Sequence, residues 1–520
     1  MPDGVVLVGM PASGKSSVGR IIAERLGRPF VDTDDLVARR LGEPVPAYLE
    51  RHGEVAFRAE EARAVSEACS MAGAVIAAGG GAVIDPLNRW ALWHHGTVAW
   101  LDAPSELLVE RLRADPIARP TFEPYDARRL AAVQAERAPA YRAADVQVDA
   151  TFPAQAVADA VVPHLGPRRS RRLFDAEVQR HHPMGALMTR VLMGVSLEMG
   201  PAAHGIAVID RRLLAALPEL IATVSPRACL PVAAGERTKR MRSLERILEW
   251  LAEQHVERDT PLVAVGGGTI GDLAGTAAAL FARGLPLIHV PTTWLAQADS
   301  AIGGKVAVDL SGAKNAVGAF WPPMAILSDV AALRSLPLRL RRDGIAESVK
   351  AALIGDPALW RLLEDRGGAA LRSDEAARYA ILERSARLKL AVCERDPFET
   401  GERRTLNLGH TIGHALEIES GYRLRHGAAV ALGMRAAAAI AAGRGGDPTL
   451  AARLDDLLGQ LGFTLTRAFD AAGVRSAMLG DKKRRDGRQR WILPMAIGTV
   501  TEVDDVTDTE VSRALAAIGS

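Results

Sequence analysis

The chain has 520 residues, 48% of them hydrophobic and only 4% aromatic. That length exceeds what one core organises, since domains cluster near ~100–200 residues, so at least two compact units filled mainly by Ala, Val, Leu and Ile are expected. A net charge of +2 argues against a nucleic-acid or membrane-surface protein, and three scattered cysteines (Cys69, Cys229, Cys393) argue against a disulfide framework and fit a reducing, cytoplasmic setting.

Met1 leads almost directly into the apolar run Val5–Val8, with no basic leader, so no targeting segment is expected. Apolar windows at 262–282 and 428–442 are broken by Asp272 or Arg435 and by glycines, so no membrane span is expected either.

Val5–Val8 reads as a buried parallel strand, and Ser17–Leu26 has helical spacing. Between them Gly9–Ser16 fits G-x-x-x-x-G-K-[ST] in the strand–turn–helix context that the motif needs. Gly9, Ser13, Gly14, Lys15, Ser16 and Ser17 would wrap nucleotide phosphates with backbone N–H groups. Lys15 would neutralise β/γ charge, and Ser16 would hold Mg²⁺. A chance glycine turn is the bland alternative. Asp32-Thr33-Asp34 follows a short strand; one carboxylate suits Mg²⁺ or an acceptor hydroxyl and the other suits sugar-like hydroxyls, although Asp34 equally reads as an N-cap for Asp35–Leu41. Arg58, with Glu61 one turn on, suits a carboxylate ligand or a solvated helix-face pair. Val75–Ala78 ends in Gly79-Gly80-Gly81, where a ligand can approach the backbone at a strand's carboxyl end. Arg119-Pro120 sits in the loop-like stretch 115–124, which suits a mobile lid, and Arg137 lies four residues before Tyr141.

These stretches resemble shikimate kinase over essentially the whole of residues 1–165: the phosphate loop, D-T-D at 32–34, F-R-x-x-E at 57–61, the triple glycine, R-P at 119–120 and R-x-x-x-Y at 137–141. The resemblance implies an α/β P-loop fold of the nucleoside monophosphate kinase kind, with ATP and Mg²⁺. It assigns Asp34, Arg58, Gly80 and Arg137 to shikimate, Lys15 and Arg119 to phosphates, and Asp32 to the surroundings of Mg²⁺ and the acceptor hydroxyl.

Residues 166–188 are rich in Pro, Gly and basic side chains and read as a solvated linker; 171–204 shows no clean strand hairpin. A nucleic-acid role for the basic run 167–172 is disfavoured by its shortness and lack of aromatics, and His181-His182 lacks an accompanying metal motif.

In the second half, Ile206–Ile209 and Leu262–Val265 read as parallel strands, and Gly266–Asp272 opens a glycine-rich helix running toward Arg283-Gly284. This departs from G-x-G-x-x-G but is a dinucleotide signal. Leu287–Val290 precedes Pro291-Thr292-Thr293, whose hydroxyls suit phosphate, ribose or a helix cap. Glu347 and Lys350 are one helical turn apart, and His410, His414 and His426 crowd an Ala/Gly-rich stretch. Glu plus two histidines is a common catalytic Zn²⁺ set with one position open. Spacing alone favours His410 with His414, at i and i+4 on one helix face.

From about residue 205 the chain resembles 3-dehydroquinate synthase, through G-G-G-x-x-G-D at 266–272, R-G at 283–284, P-T-T-x-L-A-Q-x-D-S at 291–300, G-G-K at 303–305, K-N-x-V-G-A-F at 314–320, A-E-x-x-K at 346–350, L-N-x-G-H-T-x-G-H at 406–414, H-G at 426–427 and D-K-K at 481–483. Ala313 and Asp396-Pro397 depart from the family pattern. The resemblance implies an NAD-binding α/β domain at 189–330 and a mostly helical metal- and substrate-binding domain at 331–520. It assigns a divalent metal, Zn²⁺ or Co²⁺, to Glu347, His410 and His426, which moves His414 to the substrate. Lys305, Asn315, Lys350, Lys389, Arg403, Asn407 and Lys482 would line the substrate pocket, with Arg283 on its phosphate and Asp299 on the nicotinamide side. Glu236, Lys239, Gly268, Asp272, Thr292, Thr293 and Lys314 would contact NAD⁺. The implied reaction oxidises a heptulosonate phosphate at C5, eliminates phosphate, returns the hydride and closes a carbocycle by an aldol step. A different sugar-phosphate cyclase or a metal-dependent polyol dehydrogenase is the alternative for this half. The resemblance also implies small-molecule partners only, and a homodimer through the second half.

Overall fold

The computed structural model describes all residues except 1–3, 115–124, 168–169, 183–184, 203, 312, 480–483, 486–487 and 520. The expected lid, with Arg119, and the D-K-K stretch, with Lys482, lie outside the described residues. The chain divides into two compact units: Met1–Glu177 with Val191–Leu197, and Val178–Arg190 with Glu198–Ser520.

The first unit is built on a parallel sheet of β1 (Gly4–Val8), β2 (Phe30–Asp32), β3 (Val75–Ala77), β4 (Gly96–Asp102) and β5 (Val146–Asp149), in the order β2-β3-β1-β4-β5. Val5 to Val8 are fully buried, as a central parallel strand covered on both faces requires. β1 therefore delivers its carboxyl end, and the loop that follows, to the middle of the sheet edge where open α/β sheets bind ligands. The helix after that loop starts at Lys15 rather than Ser17 and runs to Leu26.

The next helix, Thr33–Leu41, decides between the two readings of Asp34. Its N-cap is Asp32, whose carboxylate accepts from the Asp34 N–H at 3.0 Å, so Asp34 is released from capping and sits inside the first turn.

The linker expected over 166–188 is also corrected: β6 (Arg171–His182) and β7 (Gly185–Val195) are neighbouring strands. The start of β6 is buried on both faces (Leu173, Phe174, Asp175 and Ala176), so it lacks the period-2 alternation that would have marked it. Helices of the first unit hold its carbonyls: Arg89 Nε donates to Leu173 O at 3.0 Å and Arg142 Nε to Asp175 O at 3.2 Å.

The second unit carries β8 (Ile206–Asp210), β9 (Ala228–Val232), β10 (Leu262–Gly266), β11 (Leu287–Pro291), β12 (Lys305–Leu310), β13 (Ala313–Phe320) and β14 (Ala325–Asp329). β14-β11-β10-β8-β9 pair in parallel, β7 borders β14, and β12 with β13 forms a separate antiparallel ribbon. The glycine-rich helix, Gly268–Leu280, ends before Arg283, and its apolar face joins Ile247, Leu262 and Val306 in one core.

Beyond Leu338 the unit is mostly helical. The helices His410–Glu419 and His426–Gly443 pack at backbone distance. A Cβ at Gly433 would strike the Gly409 carbonyl, and one at Gly413 would meet Ala429 O at 3.1 Å. This small-residue seam is what draws histidines on different helices together. By length and composition the helix His426–Gly443 could cross a membrane, but 67% of that window is buried within the protein, as in a core helix.

Candidate active sites

In the first unit, Gly9 (φ 146°) and Gly14 (φ 93°) supply backbone turns that side chains resist. Gly14 caps the helix Lys15–Leu26 without any side-chain acceptor, leaving the first N–H groups facing the loop. Lys15 crosses the loop and donates to Gly9 O at 3.1 Å and Met10 O at 2.9 Å. Ser16 Oγ donates to Asp32 Oδ2 at 2.6 Å. A cavity of about 530 Å³ opens over these residues and is lined also by Asp34, Arg111, Phe152, Pro153 and Val157. Arg111, which donates to Ala150 O at 3.0 Å, and Phe152 were not singled out from sequence; a lone Arg on a helix and a Phe in a turn carry no local signal.

The triple glycine interlocks with three other motifs. A Cβ on Gly79 would collide with the Asp34 carboxylate, one on Gly80 would meet Pro11 Cδ at 2.8 Å, and one on Gly81 would meet Arg58 Nη1 at 2.8 Å. Gly79 N also donates to Thr33 Oγ1 at 2.7 Å. Gly80 O accepts from Arg137 Nη1 at 2.9 Å and from Tyr141 OH at 2.8 Å. Arg58 Nη1 lies 2.9 Å from Glu61 Oε2. Burial alone would lower the Arg58 pKa, but Glu61 and Glu54 outweigh it and raise it, while burial pushes Glu61 upward. Asp34, Arg58 and Arg137 thus converge on one glycine turn, beside the phosphate loop. Ser16 and Asp32 offer hard oxygens of the kind Mg²⁺ takes.

In the second unit, Gly267 and Gly268 press against Thr293 and Ser300: a Cβ on the first would meet Thr293 Cγ2 at 2.9 Å, and one on the second Ser300 Oγ at 3.0 Å. Thr292 N donates to Gly266 O at 3.0 Å. Asp272 pairs with Lys239 at 2.5 Å, and Lys239 also bonds Asn315. Burial pushes the Asp272 carboxyl up to about 6, against the pull of Lys239. Lys314 lies 3.2 Å from Glu236 and 3.5 Å from Glu417.

Asp299 sits on a π-helical turn, Ala296–Ser300, a distortion that recurs at functional sites. Its carboxylate receives Lys389 at 2.8 Å and Lys350 at 3.8 Å. Lys350 pairs in turn with the 2% exposed Glu347. Burial disfavours both charges, but their mutual attraction prevails, holding Lys350 high and Glu347 well below the usual carboxylate range. Glu347 Oε1 is 3.1 Å from His426 Nε2 and 3.6 Å from His410 Nε2. His410 Nδ1 lies 3.0 Å from Leu408 O, a bond that fixes the ring with Nε2 toward Glu347. One ligand atom from each of Glu347, His410 and His426 lies within 4.8 Å of the others, and the same holds for His414, Glu417 and His426. The first set is the two-His-one-carboxylate donor chemistry that suits Zn²⁺ and leaves a coordination position open. His426 is raised to about 10: burial lowers it, but the bonds to Glu347 and Glu417 more than offset that, so the cluster favours a cation at that place. The i, i+4 spacing of His410 and His414 does not bring both to Glu347. The second histidine at Glu347, His426, comes instead from the next helix.

The remaining cations gather nearby. Lys305 pairs with Glu399, whose other oxygen accepts from Asn407 Nδ2 at 2.9 Å. Arg403 donates to Gly303 O at 2.8 Å. Glu399, at φ 60°, was missed from sequence; a solvent-loop glutamate gives no signal until Lys305, 94 residues away, closes on it. Arg283 is exposed and, among the described residues, makes no hydrogen bond or ion pair with this cluster.

Comparison with known proteins assigns the two halves to two families. Residues 11–165 match the shikimate kinase family model, 229–343 the 3-dehydroquinate synthase N-terminal model and 344–484 its C-terminal model. A 3-dehydroquinate synthase of Xanthomonas campestris is 41% identical over 326 residues, covering 61% of this chain and 86% of the relative. A 2-epi-valiolone synthase of Actinosynnema mirum is 39% identical over 293 residues, 55% of this chain and 76% of the relative. Among solved structures, a 2-epi-5-epi-valiolone synthase from Streptomyces hygroscopicus, with NAD⁺ and Zn²⁺ bound, superposes with a TM-score of 0.59 at 28% identity, over 63% of this chain and 96% of that one. The chain therefore belongs to the 3-dehydroquinate synthase family and carries a shikimate kinase family domain ahead of it, so it joins a kinase to a phosphate-eliminating synthase.

Proposed function

We propose that the first unit phosphorylates shikimate from ATP and that the second converts 3-deoxy-D-arabino-heptulosonate 7-phosphate to 3-dehydroquinate and phosphate. The observation that carries the first half is the glycine turn touching Asp34, Arg58 and the phosphate loop together. In this reading Arg58 and Arg137 grip the carboxylate and Asp34 the hydroxyls of shikimate, while Ser16 and Asp32 hold Mg²⁺ and Lys15 and Arg119 steady the transferring phosphate. A paired, positively charged Arg58 is what a carboxylate ligand needs, and exclusion of water around it strengthens the contact.

For the second half, the carrying observation is a buried glutamate met by two histidines and paired with Lys350, whose other partner Asp299 also holds Lys389. Glu347, His410 and His426 would hold Zn²⁺ or Co²⁺, which with NAD⁺ supplies alcohol polarisation and reversible hydride acceptance. Glu236, Lys239, Gly268, Asp272, Thr292, Thr293 and Lys314 hold the dinucleotide. Lys305, Asn315, Lys350, Lys389, Arg403, Asn407, His414 and Lys482 bind and orient a substrate bearing a carboxylate and a phosphate, with Arg283 on the phosphate and Asp299 holding Lys350 and Lys389. Glu399 keeps Lys305 and Asn407 in place. That density of cations suits a doubly anionic substrate and exceeds the need of a simple polyol dehydrogenase.

The 39% identical 2-epi-valiolone synthase favours a second reading, in which this half cyclises a different sugar phosphate. Variants Lys15→Ala and His410→Ala, each assayed for both reactions, test the two-centre reading. Each is expected to remove one activity by at least about 10²-fold and spare the other; loss of both in either variant would contradict it.

A further inference from the structure

Glu417 is buried on the helix His410–Glu419, and its two oxygens face different partners. Oε2 lies 3.5 Å from Nδ1 of His426, and Oε1 lies 3.5 Å from Nζ of Lys314. The opposite ring nitrogen of His426, Nε2, faces Glu347 Oε1 at 3.1 Å. The imidazole therefore offers one nitrogen to the proposed metal and turns the other to a carboxylate. Lys314 belongs to the dinucleotide side, where it also pairs with Glu236 at 3.2 Å and stands 4.4 Å over the Tyr422 ring.

We propose that Glu417 is a positioning residue that orients His426 for the metal and, because Lys314 shares it, couples the dinucleotide site to the metal site. The inference rests on the reading of Glu347, His410 and His426 as metal ligands. A ligating histidine that donates its other N–H to a carboxylate is fixed in tautomer and ring orientation and is a more basic ligand. Lys314 competes for that carboxylate and weakens its hold on His426. A dinucleotide that draws Lys314 toward its own anionic groups frees Glu417 for His426 and tightens metal binding. The coupling is reciprocal, so bound metal tightens the dinucleotide by the same factor.

The test uses the full-length protein stripped of metal and titrated with Co²⁺, followed by visible absorption and chelator competition, with and without saturating NAD⁺. The wild type is expected to bind one Co²⁺ per chain and to bind it more tightly with NAD⁺. Glu417→Gln should weaken Co²⁺ on the order of 10–100-fold, alter the Co²⁺ spectrum and remove the NAD⁺ effect. Lys314→Met should bind Co²⁺ severalfold more tightly than wild type in the absence of NAD⁺, a readout that stands even where Glu417→Gln fails to fold. Unchanged affinity and spectrum in Glu417→Gln, or unchanged or weaker binding in Lys314→Met, overturns the proposal. So does a second Co²⁺ in the wild type that Glu417→Gln loses, since Glu417 would then be a ligand with His414 and His426. His410→Ala separates the underlying reading: if it binds Co²⁺ like wild type, the metal assignment itself is wrong, whatever Glu417 does.

Discussion

Three consecutive glycines make an internal ruler for the kinase site. None of Gly79, Gly80 and Gly81 has a positive φ, so alanine fits each backbone and only the added methyl acts. The three methyls meet different targets: the Asp34 carboxylate, the Pro11 ring with Gly9 O at 3.3 Å behind it, and the Arg58 guanidinium. Gly79→Ala must therefore displace Asp34, and Gly81→Ala must displace Arg58. If shikimate sits as proposed, each loses one charge-assisted hydrogen bond to it, about 1.5–3 kcal/mol, which is roughly 10–150-fold in kcat/KM at about 1.4 kcal/mol per decade. Because flexible side-chain ends yield, both variants should melt close to wild type. Gly80→Ala pushes instead on the phosphate loop, where a proline ring and a backbone oxygen yield poorly, so overpacking of about 1–3 kcal/mol is expected and the loss should fall on ATP. Steady-state kinetics with each substrate varied in turn, beside thermal melts, reads all three. An equal loss toward ATP and shikimate in all three variants, or no loss toward shikimate in Gly79→Ala, would refute the reasoning.

Further outcomes follow from the second unit. Asp272 has a folded-state pKa of about 6, above its ordinary value of 3.8, so the fold favours its neutral form, and its contribution to stability is lost as pH rises through about 6. If NAD⁺ docks on Asp272 as proposed, it needs the ionised carboxylate as an acceptor, so its affinity should fall below pH about 6, by up to about tenfold per pH unit; binding titrations across pH check this, and Asp272→Asn should flatten the profile. Gly433→Ala wedges a methyl against the Gly409 carbonyl between the helices that carry His410 and His426. It should cost about 1–3 kcal/mol of stability and weaken Co²⁺ binding while sparing kinase activity, as melts, metal titration and the kinase assay would report.

What the sequence disclosed depended on how local the signal was. The phosphate loop, the glycine turns and the strand β1 announce themselves because chemistry and backbone conformation demand fixed residues at fixed spacing. The hairpin β6–β7 did not, because a strand buried on both faces has no alternation and its basic residues mimic a linker. The histidines were visible as a group, but helical spacing paired His410 with His414, whereas the Gly/Ala seam between two helices brings His426 to Glu347. Glu399 and Glu417 were invisible, since each gains its partners only by tertiary closure: Lys305 and Asn407 for one, Lys314 and His426 for the other.

Product analysis of the metal-loaded protein given heptulosonate phosphate and a catalytic amount of NAD⁺ tests the proposed reaction of the second unit most directly. Phosphate and 3-dehydroquinate are expected to appear together over many turnovers while absorbance at 340 nm returns to its starting level. NADH accumulating in step with substrate consumed, or phosphate released only from a different sugar phosphate, would contradict that reaction.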